Sequence, residues 1–265
     1  MIQTIGYNET EIQENILKLF SDLDYYELDP CYSTGVFYKK GLKQPRLKFD
    51  INPQSEDTQN ADVRCLPLED ETIKTIMFDP PFVIGVPNGS KDTEGSNKTF
   101  NRFSGFHTKN EQAKFYYDSL KELHRVLKQD GIIAFKCQDT VSSGKQYMVH
   151  FEIIAMAQAI GFYVKDLFIF CKKHRMNSGK WNVQRHARKH HCYYLVLQKV
   201  SVNPIAKNLN FATQLFVNEK EFNMGLEVPT SSPPKLPPTE ITSPNPNIQR
   251  LHPNFLAHSQ VRRNS

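Results

Sequence analysis

The sequence predicts an α/β fold built on an open, mostly parallel sheet. Three observations carry this. Four short strand-like runs bring an acid to one edge in turn, at Asp29, Asp50, Asp62 and Asp79. Stretches with helical spacing of apolar residues lie around them, at 9–20, 111–128 and 149–160. The last two apolar runs, Val164 to Cys171 and His191 to Gln198, have no helix between them, which makes them an antiparallel pair.

Composition sets bounds on function. The chain has 265 residues, 39% hydrophobic and 23% charged, enough for one domain with appendages. A net charge of +5 permits an anionic partner without requiring one. Five widely spaced cysteines, without a Cys-x-x-Cys, and no signal peptide favour reduced thiols and a cytoplasmic setting. No apolar run approaches the roughly 18 residues of a spanning helix, so no membrane segment is expected.

The elements follow in order. Residues 9–20 repeat apolar side chains at Ile12, Ile16, Leu19 and Phe20, with Asn8 or Thr10 as cap and acids in the first turn. A short strand then ends at Asp29-Pro30 and turns through Ser33, Thr34 and Gly35. A second, 46–53, ends near Asp50, about 20 residues after Asp29; an acid there is placed to accept both ribose hydroxyls of a nucleoside. A third carries Asp62-Val63 near its start. The fourth, Thr75 to Phe78, is apolar throughout and stops at Asp79-Pro80-Pro81-Phe82, since proline has no amide donor and a fixed φ. A carboxylate, a stiffened carbonyl and an aromatic ring at a strand's carboxyl end suit a planar, amino-bearing substrate: Asp79 and Pro80 accept its N–H groups and Phe82 stacks on its face. The alternative is an inert acid-Pro-Pro turn.

The Asp79-Pro80-Pro81-Phe82 tetrapeptide resembles the catalytic motif of S-adenosylmethionine-dependent methyltransferases acting on exocyclic amino groups of nucleobases, the N6-adenine and N4-cytosine type. Asp29-Pro30 to Gly35 resembles their first cofactor motif, with Tyr32-Ser33 where one glycine is expected. The resemblance covers roughly residues 5–199. It implies a Rossmann-like methyltransferase sheet of seven strands, with an antiparallel edge strand. It implies S-adenosyl-L-methionine held by Asp29, Pro30, Ser33, Gly35, Asp50, Asp62 and Val63, the Asp62-Val63 pair meeting adenine. The implied reaction is methyl transfer in DNA, to adenine N6 before cytosine N4. An RNA base methyltransferase, a non-catalytic nucleic-acid binder on the same fold, and a protein-amide methyltransferase remain as alternatives.

The rest of the chain bears on the partner. Residues 83–112 are polar and Gly-rich with Phe100, Phe103 and Phe106 interleaved, and read as a substrate loop in which Lys98 and Arg102 meet phosphates. The helix 111–128 is expected to stop at Gly131, and the fifth strand, Ile132 to Cys137, runs into Gln138-Asp139 with Lys136 beside them. Between the last two strands, residues 172–191 hold seven Lys or Arg and no acid; without them the net charge would be −2. Lys172, Lys173, Arg175, Lys180, Trp181, Arg185, Arg188 and Lys189 therefore form the expected phosphate-backbone contact. The histidines nearby fit no closed zinc spacing, and no metal is expected. Residues 1–200 form the expected catalytic domain. Residues 201–265 hold nine of the sixteen prolines and read as a disordered tail.

Overall fold

A computed structural model of the chain describes residues 1–85, 105–172 and 185–201. In chain order these form β1 (Ile5–Gly6), α1 (Glu9–Phe20), β2 (Leu28–Asp29), β3 (Leu47–Asp50), β4 (Gln59–Asn60), β5 (Ile73–Phe78), α2 (Lys109–Val126), β6 (Leu127–Cys137), β7 (Thr140–Ser142), β8 (Lys145–Tyr147), α3 (Val149–Ile160), β9 (Phe162–Cys171) and β10 (His191–Lys199). The helices begin where side chains satisfy their first amides. Asn8 Oδ1 accepts from Thr10 N at 3.1 Å, and Thr108 Oγ1 accepts from Glu111 N at 3.2 Å while Glu111 reaches back to His107 N.

The main sheet runs β1-β9-β10-β6-β5-β2-β3-β4. From β6 to β4 every pairing is parallel. Strands β5 and β6 at the centre are apolar on both faces because both are covered. Ile12, Ile16 and Leu17 of α1 pack on one face; Leu120 and Leu123 of α2 and Ile153 and Ala157 of α3 pack on the other.

The mostly parallel α/β class stands, with two corrections. The sheet has eight strands among the described residues rather than seven, because two-residue β1 adds itself beside β9. The antiparallel strand is not at the edge. Strand β10 returns between β6 and β9, antiparallel to both. Its run Tyr194–Leu197 is fully buried, and an apolar strand of that kind is only stable with a neighbour on each side.

Local boundaries shift for identifiable reasons. The helix expected over 111–128 spans 109–126, and β6 starts at once with Leu127. Gly131 is not the stop. Asp130 takes the left-handed conformation, φ 61°, and Gly131 is required by proximity: an added Cβ would lie 2.9 Å from the Lys74 and Lys128 carbonyl oxygens. The third strand is only Gln59–Asn60, both exposed, so Asp62 follows it rather than opening it. The hairpin β7–β8 has no counterpart among the expected elements; its Ser143-Gly144 turn, both residues at positive φ, is the local signal for it. No described helix is long and apolar enough to cross a membrane.

Candidate active site

Strands β6, β5, β2, β3 and β4 are neighbours in parallel, so their carboxyl ends share one edge of the sheet. Asp79 follows β5, Asp29 closes β2, Asp50 closes β3 and Asp62 comes two residues after β4. Such an edge is where open α/β sheets bind ligands. Asp29 is close enough to Asp50 and Asp79 to feel their charges. Burial pushes the Asp29 carboxyl up to about 7, against hydrogen bonds that lower it, and the charges of Asp79 and Asp50 push the same way.

The turn after β5 is clamped from α2. Tyr116, itself buried, donates its hydroxyl to the Pro81 carbonyl at 2.8 Å. Gln112 Nε2 donates to the Phe82 carbonyl at 3.3 Å. Two prolines and two clamps leave little freedom to the segment. The Pro80 carbonyl takes no hydrogen bond from any described residue. Asp79 Oδ1 is buried without a partner, a costly state for a carboxylate that a ligand donor would relieve. Phe82 is half-buried. Just beyond, Ile84 and Phe106 form a parallel bridge, so the two ends of the segment after the turn are joined at its base.

The neighbouring turn, Pro30 to Gly35, lies over the ends of β2 and β3. Asp29 is 2% exposed and fully engaged: Oδ1 accepts from Cys31 N at 3.0 Å and Oδ2 from the Tyr38 hydroxyl at 2.8 Å. It braces the turn. Pro30 is buried beside it. Ser33 stands where the resembled motif has glycine, and its backbone adopts glycine's left-handed conformation, φ 51°. Its N–H donates to Asp50 Oδ2 at 2.8 Å, and its Oγ is buried without a partner. Gly35, φ 61°, is packed under the Tyr32 ring; a Cβ there would lie 2.3 Å from the Tyr32 hydroxyl oxygen. Asp50 accepts one backbone N–H on each oxygen, from Ser33 and Asn52. A carboxylate has about four lone-pair sites, so two remain for a diol. Asp62 is held by the Arg64 guanidinium, with Nη2 at 2.6 Å and Nε at 3.0 Å, which keeps its carboxyl below the usual range. Val63 is buried. The orphaned Ser33 hydroxyl and the spare acceptors of Asp50 fit a ribose-bearing, zwitterionic ligand.

Two groups of residues escape sequence reasoning in part or whole. Lys136 stands out in the sequence only by its place at the end of β6. Its Nζ lies 2.9 Å from Glu9 Oε1 and 3.4 Å from Asp79 Oδ2. Glu9, in the first turn of α1, gives no signal beyond helix capping. Asp139, 4% exposed, lies 2.7 Å from His150 Nδ1 and accepts from the Tyr193 hydroxyl at 3.4 Å. That pairing crosses three elements and has no sequence pattern.

Of the expected nucleic-acid contacts, Lys98, Arg102, Lys173, Arg175, Lys180 and Trp181 lie outside the described residues. Lys172 and Arg185 are exposed, and Arg188 and Lys189 are half-exposed. This segment meets the β7–β8 turn, where His186 Nε2 is 3.0 Å from the Gly144 carbonyl oxygen. The hairpin in turn borders the segment after the Asp79–Phe82 turn: a Cβ on Gly85 would lie 4.0 Å from Ser142 Oγ. Among the described residues no group of three His, Cys, Asp or Glu side chains is arranged to hold a metal ion.

A family model described as DNA methylase (N6_N4_Mtase) matches residues 73–243. The match includes Asp79 to Phe82, begins after Asp29, Asp50 and Asp62, and runs past Lys199. No curated protein matches the chain. Among solved structures, the chain is similar to a protein from Thermus thermophilus named for DNA modification methylase activity: 16% identity over 54% of this chain and 53% of that one, TM-score 0.38. The same protein in complex with S-adenosyl-L-methionine gives 16% over 54% of each chain, TM-score 0.37. The PvuII cytosine-N4-specific DNA methyltransferase gives 18% over 55% of this chain and 50% of that one, TM-score 0.37. The chain thus spans about half the length of these proteins. At such scores the fold assignment rests on the strand order itself.

Proposed function

Because this chain belongs to the N6/N4 DNA methylase family, we propose that it transfers a methyl group from S-adenosyl-L-methionine to an exocyclic amino group of a base in DNA, adenine N6 in particular. The observation that carries the reading is the buried, unpartnered oxygen of Asp79 beside the Pro80 carbonyl, which no described residue engages, in a turn clamped by Tyr116 and Gln112.

An aromatic amine is a weak nucleophile because its lone pair is conjugated with the ring. Asp79 and the Pro80 carbonyl accept its two N–H bonds, which localises that pair on nitrogen and fixes its direction. Phe82 covers the ring face and replaces the stacking lost when the base leaves the duplex. Asp79 would also accept the proton that nitrogen sheds once it is methylated. S-adenosyl-L-methionine, when bound, supplies the activated methyl. On this chain Asp50 takes the ribose hydroxyls, the Ser33 hydroxyl and the turn to Gly35 meet the amino-acid end, and Val63 with Asp62 meets the adenine once Arg64 yields its place. Asp29 acts from below by bracing the turn. The basic segment Arg185, Arg188 and Lys189 with Lys172 carries the phosphate backbone, together with Lys98, Arg102, Lys173, Arg175 and Lys180, and Trp181 stacks.

The test is Asp79→Ala. Methyl transfer to DNA is expected to fall by about three orders of magnitude or more, the scale of losing positioning and lone-pair activation together. Calorimetric binding of S-adenosyl-L-methionine should remain. Transfer near the wild-type rate would refute the role given to Asp79. Transfer to RNA alone would move the assignment to RNA, and absence of cofactor binding in the wild type would leave a nucleic-acid binder.

A further inference from the structure

One lysine stands between two carboxylates where the ligand edge meets the first helix. Lys136 Nζ is 2.9 Å from Glu9 Oε1, 3.4 Å from Asp79 Oδ2 and 4.7 Å from the centroid of the Phe37 ring. The Lys136 and Glu9 side chains are each 12% exposed. Glu9 is fixed from its other side: the buried Tyr194 donates its hydroxyl to Glu9 Oε1 at 2.8 Å. One desolvated cation is thus shared by two anions. A charge buried this far needs its partners, and the cation's distance to each decides which carboxylate it holds ionised.

We propose that Lys136 is a positioning residue that keeps the Asp79 carboxyl ionised and turned so that its unpartnered oxygen faces the substrate amine, and that Glu9 sets how much of the lysine's charge Asp79 receives. The assignment rests on the reading of Asp79 as the amine's acceptor. A protonated Asp79 would offer an O–H where an acceptor is needed, and the amine would lose its grip. Burial pushes Asp79 upward and Lys136 opposes it; Glu9 pushes upward again, and Lys172 downward. Among the described residues, the other titratable groups facing Asp79 are Asp29 and Cys31 at the end of β2, Cys137 on β6, Tyr116 on α2, and Cys192 and Tyr194 on β10. Among these residues only Lys136 and Lys172 bring positive charge, and of the two only Lys136 touches Asp79. For Glu9, burial pushes upward but Lys136, the Tyr194 hydroxyl and Lys40 together hold the carboxyl below its ordinary value. Glu9 therefore stays charged and competes for the lysine throughout the neutral range.

The two partners give opposite predictions, which a merely structural brace would not. Carbon-13 titration of the Asp79 carboxyl in the full chain, without cofactor, reads them directly. Lys136→Met should raise the midpoint by about one pH unit or more, Glu9→Gln should lower it, and Lys136→Arg should leave it near wild type. The acid limb of kcat/KM for DNA methylation should move in the same directions. The Lys136→Met deficit should approach about tenfold below both midpoints for a one-unit shift and shrink as pH rises. Midpoints that stay put, or that move the same way in Lys136→Met and Glu9→Gln, overturn the assignment, as does a Lys136→Met deficit that is equal at every pH. If Lys136→Met does not fold, the Glu9→Gln shift decides alone, since a neutral amide keeps the bond from Tyr194. A wild-type chain that methylates no base refutes the functional reading instead; the titration still decides whether Lys136 controls the charge of Asp79.

Discussion

Ser33 shows how a single residue can satisfy a motif that its identity breaks. Its side chain is not glycine, yet its backbone sits at φ 51°, where glycine is at ease and other residues pay about 1 kcal/mol. Its N–H remains aimed at Asp50, so the geometry that glycine serves is kept. Ser33→Gly should therefore raise stability by about 0.5–1 kcal/mol in urea unfolding, partly offset by the looser unfolded chain. It should also weaken S-adenosyl-L-methionine binding about five-fold, the scale of one lost hydrogen bond to the ligand. Destabilisation by a similar amount would show that the buried Ser33 hydroxyl matters more to the folded state than the backbone strain. At this scale the sequence displays the acids and prolines, because residue type and spacing after each apolar run are visible in one dimension. It does not display partners. Nothing in the sequence tells that Asp29 is consumed by Cys31 and Tyr38, that Arg64 holds Asp62, or that Glu9 comes to Lys136 from more than a hundred residues away.

Among the elements, legibility follows burial pattern. Helices α1 and α3 match their expected spans, Glu9–Phe20 and Val149–Ile160, because the first repeats its apolar residues at helical spacing and the second is an apolar run that stops at Gly161. Strand β4 eludes the sequence pattern because both its residues are exposed and carry no alternation. The position of β10 inside the sheet is a matter of pairing, which local pattern does not encode, although its unbroken apolar run argues against an edge. Gly131 reads as a helix stop in sequence and acts as a close-approach residue in three dimensions. Gly131→Ala places a Cβ 2.9 Å from two backbone carbonyl oxygens at the end of β6 remote from the ligand edge. It should cost about 1–3 kcal/mol of stability by overpacking, read from denaturant unfolding, while kcat per folded molecule is unchanged. A fall in kcat without a fall in stability would contradict the separation between the two edges.

For the whole molecule, the surplus positive charge is local, which the net value conceals. The surplus of +5 is outweighed by the seven cations between residues 172 and 191, and the described part of that segment adjoins the β7–β8 turn, which borders the segment after Pro81-Phe82. Replacing Arg185, Arg188 and Lys189 together by Ala should weaken DNA binding uniformly across sequences. It should also reduce the slope of log K against log salt by about 0.9 for each phosphate that is no longer neutralised. Cofactor affinity should be untouched. An unchanged salt slope would place the phosphate-binding surface elsewhere.

The carboxyl edge of this sheet gathers the Pro30–Gly35 turn beside Asp79, and the proposal that the first holds adenosine and the second grips a base amine depends on that juxtaposition. Incubation of the wild-type chain with methyl-labelled S-adenosyl-L-methionine and matched DNA and RNA duplexes, followed by mass analysis of the released nucleosides, tests it most directly. Label is predicted in N6-methyladenine from DNA. Label in no nucleoside would contradict the claim, and label in N4-methylcytosine or in RNA alone would contradict the choice of target.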